Sequence, residues 1–265
     1  AGRGAARSLL CRVRHESRGA AAGAGAAAGC NTLVRPPPTA PDPAAELPAA
    51  LADQLAALTL ARQRPLIVCD ADEVLFAFMA GFERYLLEQG LYFDWRSYAL
   101  AGNIRHQADD TPLEAAGVPA LLHRFFTART EQLDPVPGAA DALARLAARA
   151  QVIVLSNLPL DQLPARRRAL VAHGMDYPLI ANTGGKGAAV RHLAERVAAP
   201  VVFIDDIPHQ HRSVRQAAAA TFCLHFVADP RLARLLGPAP ECDCRADRWP
   251  EAQGVIAAAL ARHGF

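Results

Sequence analysis

Seven residues have types and spacing that could do chemistry together: Asp70, Asp72, Ser156, Asn157, Lys186, Asp205 and Asp206. Six of them stand just past an apolar run. Asp70 and Asp72 follow LIVC at 66 to 69, Ser156 and Asn157 follow VIVL at 152 to 155, and Asp205 and Asp206 follow VVFI at 201 to 204. Lys186, in TGGKG, stands just before a helical pattern that starts near 187. Asp70 and Asp72 are two residues apart, so in extended chain their side chains leave on the same side. Acids brought that close raise each other's pKa unless a cation sits among them. Magnesium suits the site, because it binds a few carboxylate and carbonyl oxygens and keeps waters that a substrate phosphate can replace. A carboxylate at a strand tip can attack phosphorus, and a second can protonate the leaving oxygen and then deprotonate water. A lysine, a serine hydroxyl and N–H groups at a helix start match the oxygens of a phosphoryl group in flight.

The elements that must position these residues follow from the apolar pattern. Strand-like runs lie at 66 to 69, 152 to 155, 201 to 204 and 222 to 227, with a weaker one at 178 to 181. Helical periodicity fills 139 to 149, 161 to 173, 187 to 198 and 210 to 220 between them. Continuous apolar strands separated by helices predict a doubly wound α/β core with a parallel sheet, and such sheets bind ligands beyond the carboxyl ends of their strands. From 77 to 135 there is no strand candidate, only helical pieces, so a helical insertion is expected over the first strand's carboxyl end. The core is then 46 to 76 with 136 to 265, and a short amphipathic helix over 46 to 62 leads into the first strand. Beyond 227 the pattern gives a helix, an irregular proline-rich stretch and a last helix that turns Trp249, Val255, Ile256 and Leu260 inward, with no chemistry in view.

Residues 1 to 45 are rich in Ala, Gly, Arg and Pro and hold almost no large apolar side chains, so a disordered tail is expected. The arginines of its start resemble a transit peptide and AAGC at 27 to 30 a lipoprotein cleavage site, but the stretch lacks a hydrophobic region; a tail or an artefact of the chosen start fits better. The chain of 265 residues is 52% hydrophobic and 20% charged with net charge +2, which gives no field that would favour nucleic acid. No apolar run approaches a membrane span. Six scattered cysteines fit a reducing, cytoplasmic setting; Cys242 and Cys244 could hold a soft metal but lack a second pair of ligands. Oligomeric state leaves no mark in the sequence.

CDADEVLF, LSN, a lysine before a helix and FIDD, in that order, resemble the motifs of the haloacid dehalogenase superfamily of aspartate-nucleophile phosphohydrolases. PVPGAADALARLA before the second strand is similar to a Pro-Gly helix start common there, and the likeness spans about residues 64 to 227. The resemblance implies Asp70 as nucleophile and Asp72 as general acid/base, with both on magnesium, Asp72 through its main-chain carbonyl. It implies Ser156, with Asn157 beside it, and Lys186 as phosphoryl-binding residues, and Asp206 as a metal ligand supported by Asp205. The insertion resembles the helical cap that some members carry. The expected function is a magnesium-dependent phosphatase acting on a small phosphorylated metabolite through an aspartyl phosphate. A phosphomutase and a non-catalytic binding scaffold are the alternatives; the acid at Asp72 disfavours carbon–halogen cleavage.

Two positions depart from the superfamily pattern: Glu73, where many phosphatases have glycine, and Gln210, where some members have a further acid. DADEVL lacks the later ligand and glycine of a calcium loop, and TGGKGA lacks the hydroxyl of a nucleotide-binding phosphate loop. His209 and His211 could ligate a softer metal, though a solvated helix start is the simpler reading. Cys69 is expected to point into the core. Arg105, His106, Arg124 and Arg129 of the insertion are candidates to meet an anionic substrate, against the alternative of an ordinary solvated face.

Overall fold

The computed structural model describes residues 47 to 265, and the tail expected at 1 to 45 lies outside the described residues. The first apolar run forms β1 (Leu66–Cys69), buried along its whole length because both its faces are covered. Alternation sends Ile67 and Cys69 to one apolar cluster and Leu66 and Val68 to the other. Cys69 packs in the core as expected.

β4 (Gln151–Ser156), β5 (Leu179–Ala181), β6 (Val201–Asp205) and β7 (Phe222–Phe226) coincide with the expected strands. A sixth, β8 (Cys244–Ala246), was not expected; its three residues from a charged stretch pair parallel with β7 at the sheet edge, too short and polar to leave a periodic signal. The order is β5-β4-β1-β6-β7-β8, all parallel. The chain runs outward from β1 through β4 to β5, then crosses to β6 and runs the other way. The crevice beyond the carboxyl ends of β4, β1 and β6 is therefore the topological switch point, where open parallel sheets bind ligands.

α4 (Ala139–Ala147), α5 (Leu163–Ala172) and α9 (Trp249–Ala261) supply residues to the cluster on one face of the sheet. α1 (Ala49–Ala56), α6 (Gly187–Val197) and α7 (Pro208–Ala217) supply those on the other. Trp249 is fully buried, and its indole Nε1–H donates to the Val74 carbonyl at 2.8 Å, which ties the last helix to the loop after β1.

The segment between β1 and β4 holds α2 (Phe78–Glu88) and α3 (Val118–Arg129), joined by an aromatic cluster in which Phe82 and Phe125 lie 5.1 Å apart edge to face. It is not wholly helical. β2 (Leu91–Phe93) and β3 (Ile104–His106) form a small antiparallel pair, which corrects the expectation of no strand there. Strands of three residues are too short for alternation to show in sequence.

Candidate functional site

Parallel pairing of β1 with β6 sets Cys69 beside Ile204, and the Asp70 N–H donates to the Ile204 carbonyl at 2.9 Å. Asp70 and Asp205 are thereby forced together at the strand tips. Lys186 lies between them, its Nζ 2.7 Å from Asp70 Oδ1 and 2.6 Å from Asp205 Oδ2. The contact with Asp205 is a directed hydrogen bond, and that with Asp70 is an ion pair. At 1% exposure the ammonium is almost wholly out of water. Burial works against its charge, but Asp205 and Asp70 outweigh that and raise its pKa. Burial pushes Asp70 up to about 6 even though Lys186 pulls the other way.

The loop that carries Lys186 is held by amides. Gln210 accepts from the Lys186 N–H at 2.8 Å and donates to the Gly184 carbonyl at 3.0 Å. Asn157 donates to the same carbonyl at 2.9 Å and accepts from Asn182 at 2.7 Å. Gln210 therefore braces the lysine loop, and the Asn157 side chain is engaged there too. Two of the three nearby glycines have a reason: Gly184 has φ +79°, and a Cβ on Gly187 would lie 2.2 Å from the Ser213 carbonyl oxygen, where α6 and α7 touch.

Asp72 turns to a different partner. Its Oδ1 accepts from Arg166 Nη2 on α5 at 2.7 Å, and the Arg166 side chain is fully buried. The guanidinium also lies 4.8 Å from the Phe76 ring centre and 6.0 Å from that of Phe126, while its Nε and Nη1 have no hydrogen-bond partner. Burial raises the Asp72 pKa and Arg166 opposes the rise. Arg166 was not singled out in the sequence because it stands in ARRR, where Arg167 and Arg168 are exposed.

Glu73 adopts φ +58°, the left-handed conformation that glycine takes most easily. Its buried carboxylate accepts from the Met79 N–H at 2.5 Å, in the first turn of α2, and from the Asp229 N–H at 3.2 Å. Burial pushes it up to about 7. The departure from glycine thus supplies a tie between the loop after β1, the inserted segment and the start of α8 (Pro230–Leu235).

Two imidazoles hold the backbone of the acidic pair. His211 Nε2 donates to the Asp205 carbonyl at 2.9 Å, and His225 Nε2 donates to the Asp206 carbonyl at 2.8 Å while its Nδ1 accepts from the Ala239 N–H at 3.1 Å. Both are buried, and desolvation pushes each down to about 4, so both are neutral near pH 7. His211 is therefore not on a solvated helix start. His225 gave no signal inside the apolar run FCLHFV.

Among the described residues, the His, Cys, Asp and Glu side chains close enough to share an ion are Asp70, Asp205 and Asp206, whose ligand atoms lie within 4.8 Å of one another. His209, His211, Cys242 and Cys244 belong to no such group. Three hard oxygen donors against one ammonium fit a divalent cation of the magnesium class. Burial and the charges of Asp205 and Asp70 hold the Asp206 carboxyl well above the ordinary range, a strain that such a cation relieves. Asp205 already accepts from Lys186 through Oδ2 and from the Ile207 N–H through Oδ1, so it anchors the lysine and leaves Asp70 and Asp206 the freer ligands. The Asp72 side chain is outside the group. Ser156, at the tip of β4, is fully buried and its Oγ has no hydrogen-bond partner.

A cavity of about 340 Å³ opens over this cluster, with Asp70, Asp72, Asn157 and Asp206 on its lining. Arg105, His106, Arg124 and Arg129 are absent from that lining: Arg105 pairs with Asp110 at 2.8 Å and Arg129 with Glu88 at 2.5 Å. A larger cavity of about 630 Å³ lies at the opposite end of the sheet, beside Val201 and Phe222, away from the carboxylates.

A haloacid dehalogenase-like protein of unknown function from Agrobacterium tumefaciens superposes with a TM-score of 0.52 at 19% identity, over 73% of this chain and 98% of its own. The chain has the haloacid dehalogenase-like fold. A family hydrolase of this fold from Deinococcus radiodurans, solved with bound phosphate and sodium, gives a TM-score of 0.50 at 18% identity, over 73% of this chain and 95% of its own. Neither a family model nor a curated protein sequence matches the chain. On this fold the four motifs converge at one crevice.

Proposed function

We propose that the chain is a magnesium-dependent phosphohydrolase acting on a small phosphorylated metabolite through an aspartyl phosphate at Asp70, with residues 77 to 135 as its cap and the cytoplasm as its location. One observation carries the reading: at the switch point a nearly buried Asp70 shares a buried lysine with Asp205, and the adjoining strand β4 ends in a buried serine hydroxyl without a partner. The Deinococcus structure of the same fold holds phosphate, which agrees with it.

Asp70 attacks phosphorus, and the P–O bond to the alcohol breaks as Asp72 gives its proton to the leaving oxygen. Asp72 then takes a proton from water, whose oxygen attacks the acyl phosphate and releases phosphate and the free Asp70 carboxylate. Lys186 and Ser156 hold the phosphoryl oxygens through both steps. The Asp70 and Asp206 carboxylates, with the Asp72 carbonyl, would hold magnesium, which would supply charge neutralisation for the phosphoryl group. The direct test is phosphate release from a panel of phosphate monoesters with magnesium and with chelator. Release that chelator abolishes is the expected result; no release from any ester counts against the reading, and an isomerised product without free phosphate points to a mutase.

Arg166 is a positioning residue in this scheme, since it reaches the reaction only through Asp72. Arg166→Ala is expected to lower kcat by roughly 10- to 100-fold with little change in KM, because proton transfer is affected and ground-state phosphate binding is not. Arg166→Lys should restore part of that loss. Equal loss in kcat and stability for both variants, or a change confined to KM, would remove the assignment.

A further inference from the structure

The cavity above Asp70 has a polar floor and an apolar wall. Phe78, Leu100, Leu122, Phe126, Leu232 and Leu236 form that wall, drawn from α2, the loop before β3, α3, α8 and the residue that follows α8. None of the residues that line it is lysine or arginine. Arg231, at the start of α8, turns elsewhere: its guanidinium lies 3.9 Å from the Trp95 ring centre and 2.6 Å from Glu83. Lys186 and Arg166, which touch the floor carboxylates, are paired with them already.

Several of the polar groups on the lining are also engaged. The Asn157 amide is spent on Gly184 and Asn182, the Glu73 carboxylate on the N–H groups of Met79 and Asp229, and the His209 ring on Gln210. The apolar wall offers no hydrogen-bond partner, so the hydroxyls of a sugar set against it would lose water without return, and a second phosphate there would meet no lysine or arginine. Tyr98 stands at the mouth with 51% exposure and offers an aromatic face.

We infer that the substrate is a phosphate monoester of a small apolar alcohol, whose organic group fills this cavity while the phosphoryl group sits over Asp70. The inference rests on the phosphohydrolase reading for its chemistry and adds the class of alcohol. The volume, at the low end of the range of about 300 to 1,000 Å³ usual for ligand pockets, suits a single short chain or ring. The cavity selects by exclusion as well as by fit.

The test uses the full chain with magnesium and compares benzyl phosphate and n-alkyl phosphates with glycerol phosphate and glucose 6-phosphate, all esters of alcohols and so similar as leaving groups. The expected result is a kcat/KM that rises about fourfold per methylene until the cavity is filled, with the polar esters at least about tenfold below benzyl phosphate. Tyr98→Glu and Leu122→Asp should each erase most of that preference, and the exposed position of Tyr98 makes its variant safe for the fold. A parallel binding measurement sets benzylphosphonate against phosphonoacetate, neither of which can be hydrolysed at its P–C bond by this chemistry. Tighter binding of benzylphosphonate is expected; equal or tighter binding of phosphonoacetate, or binding of neither, overturns the inference. Release of phosphate chiefly from the sugar or glycerol esters overturns the substrate class and leaves the phosphohydrolase reading standing. Preferential binding of benzylphosphonate with no release from any ester does the reverse.

Discussion

Asp70→Asn is expected to cut phosphate release by on the order of 10⁴-fold or more, because the amide cannot form the acyl phosphate through which the scheme runs. The fold should survive the change. Asp70 is ionised at a cost, pushed up to about 6 by burial, and Lys186 keeps its directed bond to Asp205 at 2.6 Å when the charge at 70 is removed. A neutral side chain of the same shape therefore relieves charge crowding, and the melting temperature should equal or exceed that of the parent. Two measurements decide it: single-turnover phosphate release and a thermal unfolding curve on the same preparation. Activity near the parent level would remove Asp70 as nucleophile, and a collapsed melting temperature would show that the acid is needed for folding first.

The sequence exposed the residues that stand at strand tips, and there is a physical reason. A charge after four buried aliphatic residues has no packing explanation, so Asp70, Asp205 and Asp206 stand out against LIVC and VVFI. Lys186 needed the order of the motifs to be seen, because GGKG by itself reads as a turn. The residues that hold these groups in place were hidden by their surroundings. Arg166 lies among exposed arginines, His225 lies among strand residues, and the partners of both are distant in sequence: 94 positions separate Arg166 from Asp72 and 19 separate His225 from Asp206. The cavity wall was hidden for the same reason, since Leu232 and Leu236 come from a terminal segment that showed no chemistry and meet the inserted helices only in the folded chain. Spacing reports local geometry, and contacts across the sheet leave no mark in it.

Lys186→Met separates the two roles of the lysine, catalytic and structural, because methionine keeps most of the buried volume and removes the charge. Phosphate turnover is expected to fall by on the order of 10³-fold, the loss typical of removing a preorganised charged donor from a transferring group. The structural loss is separate. Without the ammonium, Asp70, Asp205 and Asp206 remain within 4.8 Å of one another, and breaking a buried pair by removing one partner typically costs about 3–5 kcal/mol. Magnesium should then stabilise the variant more than the parent, since the cation would take over part of the charge compensation that Lys186 gives to Asp70 and Asp205. Thermal unfolding with and without magnesium, on parent and variant, reads this directly as a larger metal-induced shift in the variant. Equal shifts would mean that the metal does not share the charge of these carboxylates. Unchanged turnover would mean that the lysine serves the fold alone, as a counter-ion buried beneath a site whose phosphate is held by other groups.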